Sequence, residues 1–337
     1  MKAVILTKPV ESAEIKITEC PMPAVKPGHV LVRIRAFGMN HSEQILRKSE
    51  ISAPYIRKPI IPGIECAGEI ADASDTAFRA GQKVIALMGG MGREFNGSYA
   101  EYALLPAHHV FAVDTNLSWE RLAAIPETYF TAWGSLFECL SLKSSDHLLV
   151  RGGTCALGYA AVQIAKAFGC KVTATTHRES KMQLLIDCGA DRALPDNGSL
   201  KGQVSGITKA LELVGIKTLK DTLSCTEKGG TVCNTGNLGG VYTWNGFDPI
   251  KDIPNGIYLT GFFSNTPAQE TINELFAFLN THNLTPHIGK QYLFTDIAKA
   301  CEDMENGKIN GKIVINVNGG DINAWNCYSE RNSDKQT

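Results

Sequence analysis

The chain has 337 residues, of which 44% are hydrophobic and 20% charged, and its formal net charge at pH 7 is −1. A chain of this length is expected to form two domains. The near-zero charge excludes the basic surface that general binding to nucleic acid or anionic membranes requires, and no apolar run approaches the roughly 20 residues of a membrane-spanning helix. The N-terminal stretch is too short for a signal peptide. We therefore predict a cytoplasmic protein with no nucleic-acid or membrane partner.

The ten cysteines show no pattern typical of a metal site. No Cys-x-x-Cys pair occurs, and no histidine stands at a metal-ligand spacing from a cysteine. Several cysteines, such as Cys66 and Cys170, lie in apolar stretches, where a thiol usually packs as a small hydrophobic side chain. The sequence therefore predicts free thiols and no metal.

Residues 1–118 are expected to be mostly β. After a Lys-Pro-Gly turn, the apolar residues Val30, Val32 and Ile34 recur at every second position, which is the spacing of a strand. Further short strands are predicted at 83–87 and 99–105, each after a turn that contains glycine. Many short strands between glycine and proline turns favour a barrel-like β domain.

From Trp119 onward, helices and strands alternate, which is typical of a doubly wound parallel sheet. Ser118 is suited to cap a helix through Ala124, and a helix at 181–188 is stopped by Gly189. Strands are predicted at 210–214, 230–235 and 257–263, followed by helices at 270–280 and 295–305 and a strand at 312–317. We predict an α/β protein with one domain at 1–118 and 264–318, a dinucleotide-binding domain at 119–263, and a mobile tail at 319–337.

Residues 147–181 predict the phosphate-binding part of this second domain. The order is a buried strand at 148–150, a glycine turn, a helix from about residue 157, and a strand at 172–176. Gly153, Cys155 and Gly158 occupy the three places of the G-x-G-x-x-G fingerprint, so a thiol replaces the middle glycine. Cys155 is either a packing residue or a reactive thiol activated by the helix N-terminus. The other turn residues expected at the cofactor are Thr154, Ala156 and Leu157.

The residues after the second strand bear on the choice of cofactor. The strand ends at Thr176, with no acid at its tip to hold the ribose 2′-OH of NAD. Arg178 and Lys181 are placed to bind a 2′-phosphate instead, which favours NADPH. A solvated basic loop is the alternative, and Glu179, if it turned inward, would favour NAD.

Across nearly its whole length the chain resembles a known family. The matching stretches include KPGHVLVRIRAFGMNHSE, IPGIECAGEI, GSYAEYALLP, AAIPETYFTAWGSLF, VRGGTCALGYAAVQIAKAFGCKV, GGTVCNTGNLGG and GKIVINV, in family order. They are similar to the zinc-free quinone oxidoreductase branch, the zeta-crystallin-like enzymes, of the medium-chain dehydrogenase/reductase superfamily. The resemblance implies a GroES-like β-barrel-type catalytic domain and a Rossmann domain that binds NADPH.

The resemblance also implies that zinc is absent. Zinc-dependent members carry a cysteine where this chain has Asn40 and a histidine where it has Ile64. Their four-cysteine lobe should fall near residues 88–105, where no cysteine occurs. His41 and Glu65 alone cannot hold a zinc ion, which needs three or four ligands.

By resemblance, Asn40 lies beside the nicotinamide ribose or the substrate, and Thr131 lies near the nicotinamide. The backbone N–H groups of residues 156–158 would meet the pyrophosphate. The nicotinamide side is expected to be flanked by Gly236, Asn237 and Leu238. Lys312 is expected to lie near the cofactor. Phe262, Phe263 and Ser264 would contact the carboxamide end, although packing in the core is a competing interpretation for the two phenylalanines.

These observations predict an NADPH-dependent reductase of quinones or similar conjugated carbonyls, in which the cofactor supplies the hydride. Tyr129 and Tyr55 are candidates for hydrogen bonding to the acceptor oxygen, with packing as the alternative. A reductase of enones, 2-alkenals or enoyl thioesters is the nearest rival, and a non-enzymatic NADPH-binding structural or regulatory protein is a rival of another class. By resemblance, a homodimer is expected to form through residues 257–263, from Ile257 to Phe263.

Overall fold

The computed structural model describes residues 1–317, so the tail predicted at 319–337 lies outside the described residues. The strands are β1 (Lys2–Val4), β2 (Ile17–Glu19), β3 (His29–Met39), β4 (Glu65–Asp72), β5 (Lys83–Leu87), β6 (Tyr102–Pro106), β7 (Val110–Ala112), β8 (His147–Arg151), β9 (Lys171–Thr176), β10 (Arg192–Pro195), β11 (Ile207–Glu212), β12 (Thr226–Asn234), β13 (Tyr258–Gly261), β14 (Ile288–Leu293) and β15 (Lys312–Asn316).

The helices are α1 (His41–Lys48), α2 (Trp119–Ala123), α3 (Pro126–Trp133), α4 (Ala156–Ala167), α5 (Met182–Asp187), α6 (Ile216–Ser224), α7 (Pro249–Asp252), α8 (Gln269–Thr281) and α9 (Ile297–Glu305). A π-helical segment, Gly134–Cys139, continues α3. In residues 1–317, no helix has both the length and the apolar character needed to span a bilayer.

The chain divides into two compact units, and the boundaries differ from the predicted ones. The first unit comprises Met1–Pro126 and the described residues from Ile288 to 317, and the second is Glu127–His287. Helix α2 packs on β3 and β4, so it belongs to the first unit. Helix α8 belongs to the second, because the ring of Phe278 packs edge-on against Trp133, with ring centroids 5.4 Å apart. An amphipathic pattern predicts a helix but not the core that the helix covers, which is why the predicted boundaries at 118 and 264 are displaced.

The first unit is built around a mostly antiparallel sheet in the order β14-β15-β3-β4-β5-β7, with β6 also paired to β3. The long strand β3 is its centre, and the predicted alternation is confirmed, because Val30, Val32 and Ile34 are fully buried. Strand β3 pairs antiparallel with β15 and with β4. The sheet therefore brings the start of β4, the end of β3 and the start of β15 close together.

The second unit contains a six-stranded parallel sheet in the order β10-β9-β8-β11-β12-β13. The predicted doubly wound sheet is confirmed. Residues Leu148–Val150 are completely buried, as expected for a strand covered on both faces. The order of strands reverses between β8 and β11, and ligands of such sheets bind outside the carboxyl ends of the strands at this point.

Candidate functional site

The turn between β8 and α4 requires glycine at two positions. Gly152 has a φ of +82°, a left-handed conformation that glycine adopts without strain. A Cβ atom added to Gly158 would lie 2.4 Å from the carbonyl oxygen of Gly153, so a side chain would push the helix away from the turn. The Gly153 N–H closes the turn by donating to the Thr175 carbonyl at 2.8 Å. A phosphate can therefore approach the backbone closely at the N-terminus of α4.

Cys155, in the middle place of the fingerprint, caps α4. Its backbone is extended, with a φ of −107°, so the position does not demand glycine. Its sulfur accepts a hydrogen bond from the Gly158 N–H at 3.3 Å. Burial raises the pKa of the Cys155 thiol above its usual value. The structure therefore favours Cys155 as a capping residue over Cys155 as an activated thiol. The Gly158 N–H, which we expected at the pyrophosphate, is instead bonded to the Cys155 sulfur.

A cluster of basic side chains follows β9. Thr176 is buried, and its hydroxyl lies 3.0 Å from the hydroxyl of Thr154 in the glycine turn. Beyond it, His177, Arg178 and Glu179 are all exposed. The Nε of Arg178 donates to Nε2 of His177 at 3.1 Å, and desolvation together with Arg178 and Lys181 lowers the pKa of His177. Strand β9 itself ends in Thr176 and not in an acidic residue, and an anion placed beyond it would meet His177, Arg178 and Lys181.

A carboxylate organises the opposite half of the same unit. Glu127, in the first turn of α3, accepts hydrogen bonds at Oε1 from the hydroxyls of Thr131 at 3.0 Å and Ser264 at 2.7 Å. Ser135 donates to the Thr131 carbonyl and lies 2.9 Å from the hydroxyl of Thr235, which follows β12. The hydroxyls predicted near the nicotinamide are thus brought together at the carboxyl ends of β12 and β13. Sequence reasoning did not single out Glu127.

The loop after β12 and the segment after β13 also lie at this edge. A Cβ atom on Gly236 would be 2.4 Å from the Leu213 carbonyl oxygen, so glycine allows the loop to cross β11 closely. Asn237 and Leu238 follow it, and the Leu238 side chain is 53% exposed. Of the two phenylalanines, Phe262 packs against Phe130. Phe263 is 77% exposed, so the competing core interpretation is wrong for that residue.

Three residues of the first unit form a buried polar cluster. Asn40 precedes α1, Glu65 begins β4 and Lys312 begins β15. The Asn40 Nδ2 donates to Glu65 Oε1 at 2.7 Å, its Oδ1 accepts from Lys312 Nζ at 2.7 Å, and Lys312 Nζ lies 2.5 Å from Glu65 Oε1. A Cβ atom on Gly38 would lie 2.4 Å from Cε of Lys312 and 2.5 Å from Glu65 Oε1. Glycine at position 38 is what leaves room for this ion pair.

Glu43 lies next to the cluster and completes the cap of α1. Its carboxylate accepts from the Asn40 N–H at 2.6 Å and from the Ile64 N–H at 3.2 Å. Burial, followed by repulsion from Glu65, raises the pKa of Glu43 from 4.5 to about 7, although Lys312 opposes the shift. The site therefore holds a buried carboxyl group with a raised pKa, Glu43, next to the ion pair of Glu65 and Lys312.

The two tyrosine candidates lie in unlike environments. Tyr129 is 2% exposed, its hydroxyl donates to Gln163, and burial raises its pKa. Tyr55 is 67% exposed, and its hydroxyl donates to Glu50 at 3.2 Å. The Tyr129 hydroxyl is thus engaged within the second unit, and that of Tyr55 lies on the surface of the first.

Arg151, a second residue that sequence reasoning missed, stands directly before the glycine turn. Its side chain is fully buried. Nε and Nη2 donate to the two carboxylate oxygens of Asp196 at 2.8 and 3.0 Å, and Nη1 donates to Asp221 at 2.7 Å. The arginine therefore ties the carboxyl ends of β8 and β10 to α6. A charged residue at the end of an otherwise apolar strand was the available signal.

Within the part of the chain that the structure describes, no group of three or more His, Cys, Asp or Glu side chains is arranged to hold a metal ion. The nearest approach to the zinc position of related enzymes is the cluster of Asn40, Glu65 and Lys312, in which the carboxylate already faces an ammonium group. This donor set does not fit a Zn²⁺ ion, which takes nitrogen, sulfur and oxygen ligands without a competing cation.

Comparison with known proteins finds the same two-part organisation. Residues 26–115 match the alcohol dehydrogenase GroES-like domain, and residues 156–281 match the zinc-binding dehydrogenase family. The human quinone oxidoreductase is 30% identical over 312 residues, which cover 88% of this chain and 92% of that protein. The crystal structure of AibC superposes with a TM-score of 0.83 at 26% identity, covering 94% of this chain and 95% of the other.

A third relative is the mycobacterial protein Rv1454c, whose native structure is described as complexed with NADPH. It superposes with a TM-score of 0.81, at 24% identity, over 94% of this chain and 100% of that one. At this level of identity the likeness concerns the fold. It extends over both units, each of which has a counterpart in the matched chain.

Proposed function

The chain belongs to the quinone oxidoreductase branch of the medium-chain dehydrogenase/reductase superfamily, and from this premise we propose that it transfers hydride from NADPH to quinones or similar conjugated carbonyls without zinc. An oxidoreductase with a nicotinamide cofactor follows from the family itself. The choice of NADPH, the class of acceptor and the independence from metal are our proposals.

The observation that carries the choice of NADPH is the end of β9. The last residue of the strand is Thr176 and not an acid that would hold a ribose 2′-OH, while Arg178 and Lys181 offer charge to a 2′-phosphate. The description of Rv1454c as an NADPH complex supports the same choice for a similar fold. The bound cofactor would supply the hydride, and Thr154 and the glycine turn would hold its phosphates.

The test is a comparison of NADPH and NADH as hydride donors. We expect Arg178→Ala to raise the KM for NADPH by about 10-fold or more and to leave the KM for NADH unchanged, since a charge-assisted hydrogen bond is lost only with the phosphorylated cofactor. Lys228→Ala, at an exposed lysine on β12, serves as the control. A wild-type preference for NADH would refute the assignment.

The proposal of metal-free catalysis rests on the cluster in the first unit. Lys312 supplies a fixed positive charge to Glu65, and both side chains are nearly inaccessible, with 2% and 0% exposed. Elemental analysis of active protein is expected to show far less than one zinc per chain, and a chelator should leave turnover unchanged. Stoichiometric zinc that is required for activity would overturn this part of the proposal.

The acceptor class is tested with a panel of quinones, enones, 2-alkenals and enoyl thioesters. Reduction of a quinone needs little acid catalysis, because conjugation stabilises the charge that forms, whereas an enone needs a proton delivered to carbon. Faster turnover of an enone or a thioester than of every quinone would favour the rival reductase. Tight NADPH binding with no turnover of any acceptor would favour the non-enzymatic rival.

We also propose a homodimer joined through β13 and a cytoplasmic location. Strand β13 ends the sheet path of the second unit, and Tyr258 on it is 63% exposed, so its edge is open to pairing with a second copy. Tyr258→Lys should shift the mass measured by light scattering toward the monomer.

The nine cysteines among residues 1–317 are all free thiols, which suits a reducing compartment.

A further inference from the structure

The strand order indicates where each half of a bound dinucleotide lies. In sheets of this order, the cofactor crosses the glycine turn at the switch point, and its two halves lie over opposite halves of the sheet. The basic side chains of His177, Arg178 and Lys181 follow β9, which marks that side for the phosphorylated ribose. The nicotinamide half is therefore directed over the carboxyl ends of β11 to β13, where Thr235 and Ser264 are found.

Glu127 holds two hydroxyls at this edge. Thr131 and Ser264 are each 7% exposed, and both donate to the same oxygen, Oε1 of Glu127. The Phe262 ring, just after β13, packs directly against Gly134, just after α3, since a Cβ atom on Gly134 would lie 2.0 Å from that ring. Helix α3 and the segment after β13 are thus fixed to each other within the second unit.

The direction of these two hydrogen bonds has a chemical consequence. A hydroxyl has one hydrogen to donate and two lone pairs that accept. Because a carboxylate can only accept, it takes the hydrogens of both Thr131 and Ser264, and each oxygen is left able only to accept. The edge therefore presents acceptors, and it is suited to a ligand group that donates N–H.

We propose that Glu127 is a positioning residue that makes Thr131 and Ser264 acceptors for the carboxamide NH₂ of the nicotinamide, and thereby fixes which way the carboxamide points. This inference rests on the proposed use of a nicotinamide cofactor. It concerns a different end of the cofactor from the 2′-phosphate, so it can fail or succeed separately from the preference for NADPH.

The test compares three oxidised cofactors by calorimetry: NADP⁺, its 3-acetylpyridine analogue, which has a methyl group in place of the NH₂, and its thionicotinamide analogue, which keeps the NH₂. In the wild type, the acetylpyridine analogue should bind about 10-fold more weakly than NADP⁺, because it has no NH₂ group to donate to the two hydroxyl acceptors. The thionicotinamide analogue should bind within about 3-fold of NADP⁺.

Glu127→Met removes both carboxylate oxygens, so the hydroxyl hydrogens of Thr131 and Ser264 are no longer taken up by an acceptor at position 127. The ratio between NADP⁺ and the acetylpyridine analogue should then fall to about 3-fold or less. A merely structural role would weaken both cofactors equally and leave the ratio unchanged. Glu138→Met, at an exposed carboxylate on the segment that follows α3, is the matched control and should keep the wild-type ratio.

If Glu127→Met fails to fold, Ser264→Ala decides the matter, because it removes one acceptor and should lower the same ratio. A wild-type protein that does not distinguish the acetylpyridine analogue, or a Glu127→Met variant that keeps the full ratio, overturns the inference. A protein that binds NAD⁺ in preference to NADP⁺ refutes the proposed 2′-phosphate site alone, and the corresponding NAD⁺ analogues then carry the test of Glu127.

Discussion

Replacing Glu43 with glutamine should remove a pH dependence from the free energy of unfolding. The carboxyl group is 4% exposed, and burial and Glu65 raise its pKa from 4.5 to about 7. Between these two values the folded protein binds a proton that the unfolded chain has released, so stability falls as pH rises through this window. Above about pH 7 both states have released the proton, and the loss is constant.

The magnitude follows from the two pKa values. At about 1.4 kcal/mol per pH unit, the shift from 4.5 to about 7 corresponds to about 3 kcal/mol of stability lost between the two ends of the window. Glutamine is neutral throughout, but its NH₂ cannot accept from the Asn40 or Ile64 N–H group, which costs about 1 kcal/mol. The variant should therefore be less stable than the wild type at pH 4.5 and more stable at pH 8, by about 2 kcal/mol.

Urea unfolding at intervals between pH 4.5 and 8 measures this difference directly. Glu19→Gln, an exposed carboxyl group in the same unit, is the control and should give a difference that does not vary across pH 6 to 8. A difference between wild type and Glu43→Gln that stays constant over the whole range would mean that Glu43 is ionised throughout. The account of Glu43 as a buried carboxyl group with a raised pKa would then be wrong.

Three further outcomes are expected. Arg151→Met should lower the free energy of unfolding, measured in urea, by about 3–5 kcal/mol, because Asp196 loses its buried partner. Adding Asp196→Asn to the same chain should restore part of this loss. A loss of less than about 1 kcal/mol would contradict the importance of the network. The ratio of the affinity for NADPH to that for NADH should rise as pH falls, because protonated His177 attracts a 2′-phosphate, which in turn raises the pKa of His177 from its lowered value. In fluorescence titrations, His177→Asn should make this ratio depend less on pH. Gly158→Ala should abolish tight cofactor binding in the same titrations, since its Cβ would lie 2.4 Å from the Gly153 carbonyl; undiminished affinity would show that the turn can yield.

The elements of the fold could be predicted because their signals are local. The Ser118 cap is confirmed by a hydrogen bond to the Arg121 N–H at 3.5 Å, and Gly189, with a φ of +114°, ends the helix before it as predicted. The alternation of helices and strands from Trp119 onward correctly predicted the doubly wound sheet. The assignment of α8 to a unit was missed, because its Phe278 contacts are set by packing and not by period.

The polar clusters could not be predicted, because their members are distant in sequence. Lys312 and Asn40 are 272 positions apart, and only the antiparallel pairing of β15 with β3 brings them together. Ser264 meets Glu127 across 137 positions, through the folding of a loop against a helix. Periodicity identifies the faces that are buried, but it does not indicate which buried charge will face which.

Cys155 shows how local and tertiary information combine at the site. The glycine fingerprint has glycine in its middle place, so Cys155 departs from the pattern there. In the structure its φ is −107°, so a side chain is tolerated, and its sulfur takes up the Gly158 N–H that a helix N-terminus leaves unpaired. Of the fingerprint positions that keep glycine, Gly158 is one at which a side chain would meet backbone, and Gly152, just before the fingerprint, needs a left-handed φ. The fingerprint is thus a set of separate steric demands, and the chain meets the ones that this turn imposes.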